Sequence, residues 1–128
     1  MERYGVSTIM TSGVAVRVAA GLGFLAVALG AFGAHALKDR LNQLGTTHSW
    51  ETAVLYHLTH SIVMLLLATW IPFRKASFLS FLVGVVLFSG SLYALALTGI
   101  KPLGIITPFG GVALLVGWGL LALKCRRG

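Results

Sequence analysis

Four histidines, His35, His48, His57 and His60, all lie between positions 35 and 60 of this 128-residue chain. Imidazole is the side chain that can ligate a metal, carry a proton near neutral pH or hydrogen-bond through either nitrogen. His57 and His60 are three residues apart and share one face of a helix, with Tyr56 a turn before His60. Three converging rings, from His35, His57 and His60, would supply the ligand count of a metal site. Two rings on different helices, His35 with His57 or His60, could clamp a haem iron. A single ring could serve a proton-linked or small-solute site. The simplest chemistry is a neutral ring that hydrogen-bonds a neighbouring helix and holds it. The acids, Glu2, Asp39 and Glu51, lie outside the apolar stretches, and the one cysteine, Cys125, is at the far end. Catalysis has no carboxylate to pair with these rings, so neither a catalytic residue nor a cofactor is expected.

The elements that must position these rings are four apolar runs. The chain is 57% hydrophobic and only 10% charged, too few charges to cover a water-facing surface. Runs at about 18–37, 52–73, 76–100 and 102–123 hold no Lys, Arg, Asp or Glu. About 20 helical residues cross the hydrocarbon core of a bilayer, and the backbone there must satisfy itself. The expectation is an all-α, integral membrane four-helix bundle: an N-terminal segment 1–17, one transmembrane domain 18–123 and a tail 124–128. Ala34-His35-Ala36 has the small-x-small form of a signal cleavage site, but the apolar stretch before it is longer than a signal h-region. It is therefore read as an uncleaved first helix.

The net charge of +7 does not point to nucleic acid, because the basic residues flank the runs instead of forming one patch. With four spans, Arg3, Arg17, Arg74, Lys75, Lys124, Arg126 and Arg127 share one side, and Lys38, Arg40 and Lys101 the other. That split of seven to three places both termini in the cytoplasm.

Small residues recur at helix-contact spacing: Ala26, Gly30 and Ala34 in the first run, Gly90 and Ala94 in the third, Ala113 and Gly117 in the fourth. Such stripes let helix backbones approach closely in lipid. Tight intrachain packing is the plain reading, and a contact between copies the sharper one. Residues 37–44 read as a short interfacial helix stopped at Gly45, with Thr46, Thr47 or Ser49 capping the second span. Pro102, Gly104 and Pro108 break up the start of the fourth run. Thr107-Pro108 has the form of an N-cap followed by N1, so the regular fourth helix should begin near Pro108, after a bent approach. On these bounds His35, Tyr56, His57, His60, Tyr93 and Thr107 gather in the outer half of the bundle.

Several short motifs occur together and in order: Gly30-Ala31-Phe32-Gly33-Ala34-His35-Ala36-Leu37, Trp50-Glu51-Thr52-Ala53 with Tyr56-His57-x-x-His60, Phe88-Ser89-Gly90-Ser91-Leu92-Tyr93, and Thr107-Pro108-Phe109-Gly110-Gly111 with Gly117-Trp118. In this combination the chain resembles the YgdD/YwdK-like family of small bacterial inner-membrane proteins, which is similar to eukaryotic transmembrane protein 256. The resemblance implies four helices in the inner membrane. It implies no activity, because the family is a domain of unknown function.

Three roles compete. The first is a non-enzymatic accessory or structural component of a membrane complex, whose partners are the lipid bilayer and either further copies or other membrane proteins. The second is a proton-linked or small-solute transporter or channel, which four helices could build only as an oligomer. The third is a haem or metal redox protein using His35, His57 and His60.

Overall fold

The computed structural model describes residues 2–70 and 72–124. Among them there are six helical elements. They are α1 (Glu2–Ala34), α2 (Lys38–Leu44), α3 (Thr47–Thr69), α4 (Lys75–Thr98), a 3-10 helix (Lys101–Ile105) and α5 (Thr107–Lys124). Four segments are long and apolar enough to span a bilayer: Ser12–Ala34, Thr47–Thr69, Lys75–Thr98 and Lys101–Lys124. The protein is an all-α membrane bundle.

The first span starts earlier and ends earlier than the charge pattern suggests. Nothing between Glu2 and Arg17 breaks a helix, so the segment expected to precede the span is its continuation. At about 1.5 Å per residue its 33 residues reach about 50 Å, well beyond a ~30 Å hydrocarbon core. It ends at Ala34 because residues 35–37 form a turn, closed by Leu37 N–H on the Phe32 carbonyl at 2.8 Å. This turn redirects the chain into α2. As expected, α2 stops at Gly45, which sits in the left-handed region at φ 67° and leads directly into α3.

The spans pack in chain order, α1 on α3, α3 on α4 and α4 on α5, with α2 lying across α3 and α4 at one end. Among the described residues α1 makes no backbone approach to α4 or α5. The bundle is therefore an open arc in which α3 and α4 are the inner helices. The end carrying α2 is called the loop end below, and the end carrying Arg17, Arg74, Lys75 and Lys124 the terminal end.

Close approach depends on glycines, though mostly not those of the expected stripes. A Cβ on Gly110 would strike the backbone of Phe88, and one on Gly33 would strike the Trp50 indole. A Cβ on Gly84 would meet Leu114, and one on Gly117 would meet Phe81 at 2.7 Å. Ala26 is fully buried and Gly30 lies against Val54, while Ala94 and Ala113 are half-buried. Ala34 and Gly90 are exposed, and a Cβ on Gly90 would meet nothing within 4 Å. Spacing identifies a shared face but not which face meets a neighbour, and at these two positions the small residue faces outward.

The start of the fourth span is bent, as its prolines require. Residues 101–105 are 3-10, and α5 begins at Thr107. Pro102 and Pro108 have no N–H to donate, so the ladder restarts at the Ile106 carbonyl, which accepts from Phe109 and Gly110. Thr107 does not cap it. Its hydroxyl pairs with Ser91 Oγ at 2.7 Å, tying the entry of α5 to α4. Thr46 likewise flanks α3 without capping it: its hydroxyl donates to the Ala96 carbonyl at 2.7 Å. Hydroxyls near both helix starts thus serve neighbouring elements, Thr47 donating to Asn42 Oδ1 at 3.0 Å.

Candidate functional site

The polar interior belongs to α3. His57 and His60 follow Thr47 by ten and thirteen residues, which puts them about 15 and 20 Å along the helix. They therefore bracket the middle of the 23-residue span, deeper than the outer-half placement expected from the sequence. The apolar run at about 52–73 makes them look shallower than they are, because α3 starts more than a turn before it, at Thr47. Both rings are buried, at 4% and 5% exposure.

His60 is held on both sides. Its Nδ1 is 2.7 Å from the Tyr56 carbonyl, which can only accept, so Nδ1 carries the proton. Its Nε2 accepts from the indole N–H of Trp118 on α5 at 3.1 Å. The ring is thus a neutral Nδ1–H tautomer with both nitrogens used, and it links the two helices flanking α4. Aromatic rings close around it: Tyr56 stacks at 5.9 Å, Phe81 lies at 5.5 Å and Trp118 at 6.0 Å, while Tyr56 also packs on Phe88 at 4.5 Å. Separations of this size suit offset and edge-on aromatic contacts.

His57 turns toward the loop end. Its Nδ1 pairs with the Tyr93 hydroxyl of α4 at 2.9 Å, and Tyr93 meets Trp50 edge-on at 4.8 Å. Trp50 in turn donates its indole N–H to the Leu29 carbonyl of α1 at 2.9 Å. Nε2 of His57 is a buried nitrogen with no hydrogen-bond partner among the described residues. Ser61 Oγ donates to the His57 carbonyl at 2.6 Å, and Ser89 Oγ donates from α4 to the Ala53 carbonyl of α3 at 2.8 Å.

The expected six-residue cluster therefore resolves into separate parts. Tyr56 with His60, and His57 with Tyr93, are brought together. His35 is not: it lies exposed in the turn after α1, where its backbone is used by Ala31, Phe32 and Lys38. Thr107 belongs to the Ser91 contact. Among the described residues no three His, Cys, Asp or Glu side chains could hold a metal ion. The haem pairings find no support either, since His35 is exposed in the turn after α1. They require His35 opposite His57 or His60, and His60 has no free nitrogen.

Trp118, Trp50, Ser89 and Ser91 were not singled out by sequence reasoning as site residues. A signal was present, since the two serines are hydroxyls deep in an apolar run and buried polar groups need partners. For Trp118 none was, because its partner lies 58 positions away.

A four-span membrane protein whose interior histidines are joined to hydroxyl, indole and carbonyl groups of neighbouring helices is the class this geometry defines. Residues 29–111 match a family described as a protein of unknown function, DUF423. The UPF0382 inner membrane protein YgdD of Escherichia coli is 40% identical over 92% of this chain and 93% of its own length. The UPF0382 membrane protein YwdK of Bacillus subtilis is 43% identical over 73% of this chain and 80% of its own. A UPF0382 membrane protein of Staphylococcus epidermidis is 43% identical over 77% and 84% respectively. No solved structure matches. The chain belongs to the DUF423 family, and it is a multi-pass protein of the bacterial inner membrane.

Proposed function

We propose that the protein is a non-enzymatic membrane module, an accessory or structural component that assembles with further copies or with other membrane proteins. The observation that carries this reading is the state of His60. It is a buried ring near the middle of its span, and both of its nitrogens are spent, Nδ1 on the Tyr56 carbonyl of its own helix and Nε2 on the Trp118 indole N–H of α5. A group poised for acid–base or ligand chemistry needs an open nitrogen facing a reactant. Trp50, Ser61, Ser89, Ser91 and Thr107 follow the same pattern, each reaching a backbone or side-chain group of its own or a neighbouring helix. The open arc adds to this, because α1 and α5 each have one neighbour among the spans and leave an outer face for lipid or protein.

The test is purification of the full chain from its native membrane in mild detergent, followed by native mass spectrometry. A defined oligomer, or a protein recovered at fixed stoichiometry, is the expected result. A bare monomer with no bound protein would overturn the reading.

A second reading, proton-linked or small-solute transport, is favoured by one atom. His57 Nε2 is buried and has no formed hydrogen bond. In proteoliposomes that reading requires a proton or solute flux that His57→Phe abolishes. Flux unchanged in that variant would remove it.

A further inference from the structure

At the terminal end, α1 and α4 are not in backbone contact, and the space between them is a groove of about 410 Å³. Its walls are Val14 and Val18 of α1 and Phe78, Leu79 and Leu82 of α4, with Phe73 of the connection between α3 and α4 at its mouth. Apart from its rim this lining is hydrocarbon. Val14 is 61% and Leu79 45% exposed, so the groove opens sideways to the bilayer.

The rim is cationic. Lys75 lies one turn before Leu79 on the stripe that continues to Leu82, which places it on the terminal side of the groove. Arg74 adjoins Phe73, and Arg17 lies between Val14 and Val18 on α1, from where its long side chain can reach toward the terminal end. Arg17 and Lys75 are exposed and Arg74 is half-buried. The two acids whose side chains are described, Asp39 and Glu51, are in α2 and the first turns of α3, at the opposite end. The same rim carries the start of α4. Arg74 provides no side-chain cap, and the first backbone bond there is Phe78 N–H to the Arg74 carbonyl at 3.0 Å. The N–H groups of Lys75 and Ala76 are thus without intrahelical partners, and the helix dipole adds positive potential at the same point.

An acyl-sized apolar groove beneath three cations and an uncapped helix start matches one chemistry, a hydrocarbon chain ending in a phosphate. We propose that this groove is a binding site for an anionic phospholipid. One acyl chain lies between α1 and α4, and the phosphate is held by Arg17, Arg74, Lys75 and the N-terminus of α4. The cations that flank the spans would then serve as a lipid-selective site and not only as an orientation signal. The inference is independent of the proposed accessory role, which concerns protein partners.

The experiment uses the full chain in detergent, with equal amounts of phosphatidylglycerol and phosphatidylcholine of matched chains, read by native mass spectrometry. The wild type should retain one phosphatidylglycerol in preference to phosphatidylcholine. Arg74→Gln and Lys75→Gln should each reduce that preference about fivefold, the scale of one cation beside an anionic surface. Leu79→Trp leaves every charge in place but fills the groove, and it should also lower phosphatidylglycerol retention. Lys38→Gln with Lys101→Gln, at the loop end, should leave it unchanged. Equal retention of both lipids by the wild type would overturn the proposal. So would a preference that survives the Arg74 and Lys75 substitutions, or one lost equally on neutralising the loop end. Retention unaffected by Leu79→Trp would overturn the placement of the chain in the groove.

Discussion

The two ends of this bundle are held together in different ways. Toward the terminal end the core is broad and apolar: Ala15 and Ala19 of α1, Met64, Leu67 and Ala68 of α3, Phe78, Phe81 and Val85 of α4, and Leu114 of α5. Toward the loop end the buried apolar cluster shrinks to Leu41, Trp50 and Ala96. Directed bonds take its place there. Thr46 donates to the Ala96 carbonyl, Arg40 to the Leu97 carbonyl at 3.2 Å, Trp50 to the Leu29 carbonyl, and His57 pairs with Tyr93. Lipid tails are as apolar as leucine, so burial does not drive helices together within a membrane, and shape and hydrogen bonds must do so. One end relies on shape and the other on hydrogen bonds. The division suits their surroundings, because the loop end carries a connection, α2, whose position no transmembrane packing fixes.

The sharpest way to break this comparison is at Phe81, the largest fully buried side chain, which touches His60 and Trp118 and fills the space over Gly117. Phe81→Ala should lower stability by about 3–5 kcal/mol through the cavity it leaves. Unfolding of the purified protein in detergent would measure it. A loss below about 1 kcal/mol would mean that lipid or detergent replaces the ring, and that the apolar end is not held by shape.

Next in size is Gly110→Ala. The new methyl would meet the backbone of Phe88, which cannot rotate away as a side chain would. Overpacking of this kind costs about 1–3 kcal/mol. Cysteine crosslinking of α4 to α5 should show the pair forced apart. A variant as stable as the wild type, with unchanged crosslinks, would contradict the close approach.

At the loop end the effects should be smaller, because one directed bond between membrane helices is worth about 0.6 kcal/mol on average and at most about 1.7. Trp50→Phe removes the bond to Leu29 while keeping most of the ring, and Thr46→Val removes the bond to Ala96. Each should cost within that range. If either variant lost as much as Phe81→Ala, the distinction between the two ends would fail.

Much of the fold was legible because membrane chemistry is severe. Four runs without Lys, Arg, Asp or Glu leave few architectures open, and Gly45 and the prolines at 102 and 108 mark real bends. The site was half legible. Three-residue spacing correctly put His57 and His60 on a common face of α3. The same reasoning could not assign His35, because a residue at the edge of an apolar run turns inward or outward according to where its helix ends, and α1 ends one residue before it. Partners at long range, such as Trp118 for His60 or Leu29 for Trp50, depend on the order in which helices pack, which local spacing does not encode. Hydroxyls near helix starts read as caps from sequence because the cap is the local option. Thr46 and Thr107 instead bond across to α4.

The smallest expected effect concerns a residue that spacing picked out and the fold does not use. Gly90 lies on the same stripe as Ala94, yet a Cβ added there would meet nothing within 4 Å and its φ is ordinary for a helix. Alanine is the better helix former, so Gly90→Ala alone should change stability by no more than about 1 kcal/mol, and in the stabilising direction. A purified monomer would show that small gain on unfolding. The neighbouring Ser89 and Ser91 hydroxyls are engaged with the Ala53 carbonyl and Thr107, and the new methyl meets neither of those partners within 4 Å, so those bonds should stay intact. If Gly90→Ala instead dissociated an oligomer while the monomer remained folded, Gly90 would mark a helix contact between copies. The exposed side of α4 would then be a third region, held like the terminal end by shape, and the small-residue stripe would have found its neighbour in another chain.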